Sequence, residues 1–388
     1  MSSTVTAPSD ISPAIEAFLA TTDAPTPFVV VDLDRVAERY TSLRGALPMA
    51  TVYYAVKANP AAPILDRLHR LGSSFDVASP AEIDACLAVG IEPANISYGN
   101  TIKKRRDIAY AASVGVSKYT VDSFAELDKV AAEAAGAAVC VRLLHDCGGA
   151  DWPLSRKFGC APGEVSDLLV AASQAGMPCG VSFHVGSQQR DLGTWDDTLE
   201  VVAGAFSRAR DRGAHPSFLN LGGGFPGTYR EPVAGVDLYG AAVRSALARW
   251  FPDGLDEVMI EPGRYMVADA GVLRSEVVLV SDRDLGERQR WVYLDCGKFH
   301  GLAETMDEAI RYRLRTAHDS GERVPVVLAG PTCDSADVLY EKSGYDLPVA
   351  LGEGDMVDLL SAGAYTTTYS SVGFNGFAPL AEHFVSAS

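Results

Sequence analysis

Eight short apolar runs alternate with longer alanine- and leucine-rich stretches between residues 51 and 263, and this rhythm restricts the fold more than any other feature of the chain. The runs lie at 51–58, 74–78, 96–99, 118–121, 138–144, 180–186, 218–225 and 258–263, and they are rich in β-branched and aromatic residues, as strands are. Stretches such as 61–71, 80–89 and 198–210 read as helices, and Gly72, Gly90, Gly136, Gly176 and Gly213 stand where helices should stop. Strands that alternate with helices pair in parallel. Eight of them close a (β/α)₈ barrel, whereas the rival, a doubly wound open sheet, usually has fewer, so the count favours the barrel.

Beyond about residue 270 the texture changes. Runs at 272–280, 290–294, 325–328 and 356–360 look like strands separated by turn-rich segments, which implies a β-rich second domain. The run Phe28-Val-Val-Val-Asp32, followed by a helical segment at 33–47, is expected to give that domain its first strand. The expected division is therefore a barrel over 36–268 and a β-rich domain built from 13–35 and 269–388. A length of 388 residues suits two domains. The net charge of −17 argues against nucleic acid and against an anionic membrane surface as partners. Seven scattered cysteines with no C-x-x-C pair imply a reduced, cytoplasmic chain without a zinc site. The opening MSSTVTAPSDISP lacks a basic segment leading into an apolar one and reads as a tail. No apolar run is long enough to span a bilayer.

Several strand ends carry chemistry. Lys57 closes the first run, and burial of its ammonium there would lower its pKa and make it a better nucleophile toward an aldehyde. Leu219-Asn-Leu-Gly-Gly-Gly-Phe-Pro226 closes the seventh run, where barrels often bind phosphate, and glycines let backbone N–H groups approach an anion. The eighth run ends in Glu261-Pro-Gly-Arg-Tyr265, and a carboxylate at that face can hold a pyridinium nitrogen protonated. The sixth ends in Phe183-His184-Val-Gly-Ser187, whose histidine could stack on a flat ring. Asp76, Glu82, Arg142 and Lys157 add charge at other strand ends. Downstream, Cys333 and Asp334 could supply a proton and a cation-binding carboxylate, while Tyr365 and Phe374 offer a hydroxyl and an aromatic wall. Each has an ordinary structural reading by itself: a surface lysine, a glycine turn, an ion pair, a core histidine.

Taken together and in order, YAVKAN, FDVAS-x-x-E, FHVGSQ, LGGGFPG, EPGRY, GPTCDSAD and GAYTTT resemble the fold-type III pyridoxal-phosphate decarboxylases, over roughly residues 28 to 377. These act on ornithine, lysine, arginine or diaminopimelate, and share an alanine racemase-like (β/α)₈ barrel with a C-terminal β-domain. The resemblance implies that Lys57 carries the cofactor, that Glu261 holds its ring nitrogen and that His184 stacks on the ring. It implies a phosphate-binding set of Ser187, Gly222, Gly223, Gly224, Gly263, Arg264 and Tyr365, with Asp76, Glu82 and Arg142 around the lysine. Cys333 matches the proton donor to the substrate carbon, and Asp334 the carboxylate for a distal amine. Both would reach into a neighbouring subunit's site, which implies a homodimer.

The substrate implied is a small cationic amino acid. Diaminopimelate decarboxylases usually carry Cys-Glu-Ser where this chain has Cys333-Asp-Ser335. The stretch from Leu294 to Glu308 resembles bacterial ornithine decarboxylases, with Phe299 near the pocket and one of Asp307 or Glu308 as a second amine-binding acid. His300 departs from the small residue usual there, and either tunes the chain length accepted or faces outward. L-Ornithine, giving putrescine for polyamine biosynthesis, is the expected substrate. Lysine alone, both, or a related amino acid of a specialised pathway are alternatives, since one methylene is worth only about 1–3 kcal/mol of discrimination. Readings from other classes are a non-catalytic regulatory relative, a racemase and a cofactor-carrying barrel without decarboxylation. Retention of Lys57, Glu261 and Cys333 argues against the first, the Cys-Asp-Ser signature against the second, and the length beyond the barrel against the third.

Overall fold

The computed structural model describes residues 11–152, 157–284 and 288–387, so most of the expected N-terminal tail lies outside the described residues. Two compact units emerge. Among the described residues, the first comprises Ala37–Pro226 and Ala234–Met266; the second takes 11–36, Gly227–Val233 and those from Val267 onward.

Described residues open with α1 (Pro13–Thr21), which the apolar pattern did not announce. Ser12 caps it by accepting from the Ile15 N–H at 3.3 Å, and proline stands in its first turn. β1 (Phe28–Asp32) and α2 (Leu33–Ala46) follow.

The first unit is the barrel. Its strands are β2 (Ala50–Ala55), β3 (Ser74–Val77), β4 (Ile96–Tyr98), β5 (Lys118–Val121) and β6 (Ala138–Arg142), then, past a short β7 (Ala150–Trp152), β8 (Cys179–Ser182). After a short β9 (Ser187–Gln189) come β10 (Phe218–Asn220) and β11 (Glu257–Ile260). The eight barrel strands close as one parallel ring, β11 pairing with β2 through Val258 opposite Ala50. β3, β4 and β8 are buried along their whole length rather than alternately, as expected where side chains fill a lumen and helices cover the outside. Between the strands run α3 (Ala62–Arg70), α4 (Pro80–Ala88), α5 (Arg105–Ser113), α6 (Phe124–Glu133), α7 (Pro162–Gln174), α8 (Thr194–Arg210) and α9 (Val236–Trp250). Gly72 and Gly213, each at φ 84°, sit in the left-handed region that ends a helix.

The expected runs overshoot the observed strands at their C-terminal ends. Residues 56–58, 183–186, 221–225 and 261–263 have left the ladder, and these segments hold Lys57, His184, the glycine triplet and Glu261. β7 and β9, absent from the reading of the sequence, form an antiparallel ribbon that pairs Trp152 with Ser187.

The second unit is a mixed sheet. Its strands are β12 (Gly271–Asp284), β13 (Arg288–Leu294), β14 (Arg313–Thr316), β15 (Arg323–Ala329), β16 (Val338–Pro348), β17 (Met356–Leu360) and β18 (Ala381–Val385), in the order β14-β17-β12-β13-β15-β16. β1 joins it as expected, antiparallel to β12 and parallel to β18, and all five of its residues are buried.

Candidate active site

Lys57 lies in a 3₁₀ turn, Val56–Ala58, that follows β2. The Ala55 N–H donates to the Pro262 carbonyl at 3.1 Å, which ties the entrance of this turn to the segment after β11. Lys57 Nζ pairs with Asp76 Oδ2 at 2.8 Å, and its side chain is 44% exposed. The expected desolvation of this lysine is therefore corrected: its charge is met by a carboxylate and its side chain reaches solvent. Asp76, on β3, is buried, and its Oδ1 makes no hydrogen bond. Room for it comes from Gly99, where a Cβ would fall 2.0 Å from that oxygen. Glu82 closes a shifted form of the capping box around the cap residue Ser79, reaching the residue before it. Ser79 Oγ accepts from the Glu82 N–H at 3.3 Å while Glu82 Oε2 accepts from the Ala78 N–H at 2.6 Å.

The segment after β10 is built by Asn220, a residue the sequence reading passed over. It is fully buried. Its Oδ1 accepts from the Gly222 N–H at 2.9 Å, an Asx turn, and its Nδ2 donates to Glu261 Oε1. Glu261 in turn donates its backbone N–H to the Gly222 carbonyl at 2.8 Å. Burial, then the charge of Asp76, push the Glu261 carboxyl up to about 7, against Lys57, Asn220 and Arg142, which favour ionisation. His184 Nδ1 accepts from the Gly186 N–H at 3.0 Å, which leaves Nε2 to carry the proton. Burial and the cations Arg142 and Lys57 lower its pKa to about 3, so the ring is neutral at ordinary pH.

The glycine triplet is a cradle that side chains would fill. A Cβ on Gly222 would stand 2.1 Å from the Phe183 carbonyl, one on Gly223 2.7 Å from the Glu261 carbonyl and 3.0 Å from His184 Nε2, and one on Gly224 2.5 Å from a Val185 methyl. Gly224 also accepts from the Gln189 N–H at 2.9 Å, which holds the triplet against the β9 segment carrying Ser187. Ser187 Oγ receives both Nε and Nη2 of the buried Arg264 at 3.1 Å. Gly263 directly precedes that arginine. Arg142, at the end of β6, lies over the Phe158 ring at 5.7 Å, and burial lowers its pKa despite the nearby Glu261 and Asp76. Lys157 lies over the same ring at 4.9 Å.

The other expected residues are in the second unit. Cys333 is exposed and its N–H donates to Asn375 Oδ1 at 3.1 Å. Asp334 Oδ1 accepts from the Ala336 N–H at 2.8 Å. Phe299 and Phe374 pack with ring centroids 4.8 Å apart. His300 neither faces outward nor lines an open surface: it is 2% exposed and meets Phe377 edge-on at 4.7 Å. Glu308 is corrected as a free acid. Its carboxylate accepts from the Glu341 and Lys342 N–H groups at 2.8 and 2.7 Å and from the Ser343 hydroxyl, all on β16. Burial raises the pKa of Glu308, but those bonds outweigh it and the net shift is downward. Asp307, at φ 52°, is exposed, and its carboxylate makes no hydrogen bond or ion pair among the described residues. Tyr365, at φ 55°, follows β17. Among the described residues there is no cluster fit for a metal ion.

A family model, pyridoxal-dependent decarboxylase, pyridoxal binding domain, matches residues 33–268. The chain belongs to this family. A lysine/ornithine decarboxylase of Selenomonas ruminantium is 38% identical over 356 residues, covering 91% of this chain and 88% of that one. A lysine/ornithine decarboxylase of Vibrio vulnificus, solved with cadaverine, superposes with a TM-score of 0.84 at 32% identity over 96% of this chain and 97% of that one. The arginine decarboxylase of Paramecium bursaria Chlorella virus, solved with agmatine, gives a TM-score of 0.86 at 28% identity over 95% and 99% of the two chains.

The chain is thus a pyridoxal-phosphate-dependent decarboxylase of basic amino acids. The barrel fits the cofactor on three counts: the cradle of glycines beside Ser187 and Arg264, the spare buried oxygen of Asp76, and a half-buried carboxylate, Glu261, in the same ring of strand ends as a neutral histidine.

Proposed function

We propose that this decarboxylase converts L-ornithine to putrescine and carbon dioxide, with L-lysine as its second substrate. When bound, pyridoxal phosphate supplies the electron sink that lets a carboxylate leave an amino acid. Lys57 would hold its aldehyde carbon beside Asp76. Glu261 would hold the ring nitrogen, and His184, kept neutral, would lie on the ring face without competing for protons. Ser187, Gly222, Gly223, Gly224, Gly263, Arg264 and Tyr365 would hold the phosphate, with Asp76, Glu82 and Arg142 setting the charge around the lysine. In a homodimer with shared sites, Cys333 of the partner chain would deliver a proton to the substrate carbon after carbon dioxide departs.

The observation that carries the substrate reading is the unpaired carboxylate of Asp307, with Asp334 in the same unit. A terminal ammonium taken from water needs such a partner, because an unpaired buried charge is costly. Of the two acids left open by sequence, Asp307 is the one free to serve. The lysine reading is supported by the similarity to the lysine/ornithine decarboxylases of Selenomonas ruminantium and Vibrio vulnificus. The expected division of the chain at 36–268, and a cytoplasmic location in polyamine synthesis, belong to the same proposal. The free cysteines agree with a reducing compartment, and no described helix is long and apolar enough to cross a membrane.

The test is mass-spectrometric product analysis with L-ornithine, L-lysine, L-arginine and meso-diaminopimelate offered in parallel. Putrescine should dominate, with cadaverine second. Agmatine or lysine as the main product overturns the substrate reading, and no product from any of them favours a non-catalytic relative.

A further inference from the structure

We propose that Asn220 is a positioning residue that decides which oxygen of Glu261 is presented to the ring nitrogen of the cofactor. The inference rests on the reading of Glu261 given above.

Asn220 is the last residue of β10 and has no exposed surface. One end of its amide faces the Gly222 N–H at 2.9 Å. A backbone N–H can only donate, so that end must be the oxygen and the other the NH₂ group. The NH₂ group meets Glu261 Oε1. The Glu261 backbone N–H closes the ring by donating to the Gly222 carbonyl at 2.8 Å. Amide orientation, glycine turn and carboxylate are therefore set by one another.

The chemical consequence follows from the donor inventory. An NH₂ group cannot accept, so Oε1 must act as acceptor whether Glu261 is ionised or not, and any proton on Glu261 sits on Oε2. Oε2 makes no hydrogen bond among the described residues. It is the oxygen left to share a proton with a bound nitrogen. The charged and titratable groups facing Glu261 are Asp76 on β3, Lys57 after β2, Arg142 and Cys140 on β6, and His184 after β8 across Gly223. Burial and Asp76 favour the protonated form of Glu261; the Asn220 bond is among the interactions that oppose them.

The experiment compares wild-type holoprotein with Asn220→Asp, Asn220→Ser and Glu261→Gln, measuring cofactor affinity by titration and the visible absorbance across pH. Both keep an acceptor for the Gly222 N–H; aspartate has no donor left for Glu261, and the serine hydroxyl ends one bond short of the amide nitrogen it replaces, so each removes the donation to Glu261 Oε1. Serine does so without adding a charge, which covers the case where aspartate impairs folding. Both should weaken cofactor binding about ten-fold or more. Both should raise the pH midpoint of the absorbance change, by about one unit or more with aspartate, where a second carboxylate faces the first. If both titrate at the wild-type midpoint while Glu261→Gln alters the profile, Asn220 builds only the turn and the inference fails. If Glu261→Gln itself leaves affinity and profile unchanged, the reading of Glu261 fails instead.

Discussion

At the level of single residues, His184 is the side chain whose protonation this fold resists most among those expected in the site. Its pKa falls from an ordinary 6.5 to about 3. The unfolded chain binds that proton as pH drops below the ordinary value, and the folded chain does not until about 3. The stabilising contribution is therefore fully present above pH 6.5 and lost as pH falls toward 3. Glu261 runs the other way, its contribution being present below 4.5 and lost as pH rises through about 7. Thermal unfolding of the apoprotein should show wild type losing stability from pH 6.5 to 4 more steeply than His184→Gln; equal slopes would contradict the assignment. Cys333→Ala should lower kcat by about 10²–10⁴-fold, the usual worth of a positioned acid, with the cofactor spectrum retained. Steady-state kinetics and absorbance check both halves. Lys57, His184 and Glu261 were legible as residues from their places at the ends of apolar runs. The surroundings were not. Lys57 is paired rather than desolvated, and Asp307 and Glu308, both at positive φ, differ because the Glu308 carboxylate is taken up by the N–H groups and hydroxyl of β16.

Individual elements bring the second kind of constraint. Gly222 has φ 65° and no room for a Cβ before the Phe183 carbonyl, so Gly222→Ala should cost about 1–3 kcal/mol of backbone strain and weaken cofactor binding. Urea denaturation and a cofactor titration would measure the two effects. In the other unit, Asp337 is a buried hub. Its carboxylate accepts from the Lys298 N–H at 2.7 Å, the Thr332 N–H at 3.1 Å and the Thr332 hydroxyl at 2.7 Å. Its backbone closes the loop of Cys333 by accepting from Gly330 and donating to Asp334. Asp337→Ala should leave three donors without a partner at about 1–3 kcal/mol each if they stay buried. Faster hydrogen exchange should then appear across residues 297–299 and 330–337; unchanged exchange there would contradict the hub. The eight barrel strands were legible because parallel strands are apolar on both faces. β14, β16 and β18 were not, since their exposed faces interrupt the apolar runs with charge, as Glu341 and Lys342 do in β16.

For the whole molecule, the fold class was legible because the count of alternating elements is global information that survives errors at each boundary. The pairing of β7 with β9 and the network around Asn220 escaped because they depend on contacts between segments far apart in sequence. Assembly is the prediction that belongs at this scale. Light scattering should give twice the 41.1 kDa mass of the chain. Mixing Lys57→Ala with Cys333→Ala subunits should restore activity that neither has alone, provided each site draws on both chains. The central claim, that the barrel holds pyridoxal phosphate on Lys57, is tested most directly by treating the holoprotein with borohydride and mapping the labelled peptide by mass spectrometry. The account predicts a pyridoxyl group on the peptide that contains Lys57. Label on Lys103, Lys118 or any other lysine in its place would contradict it.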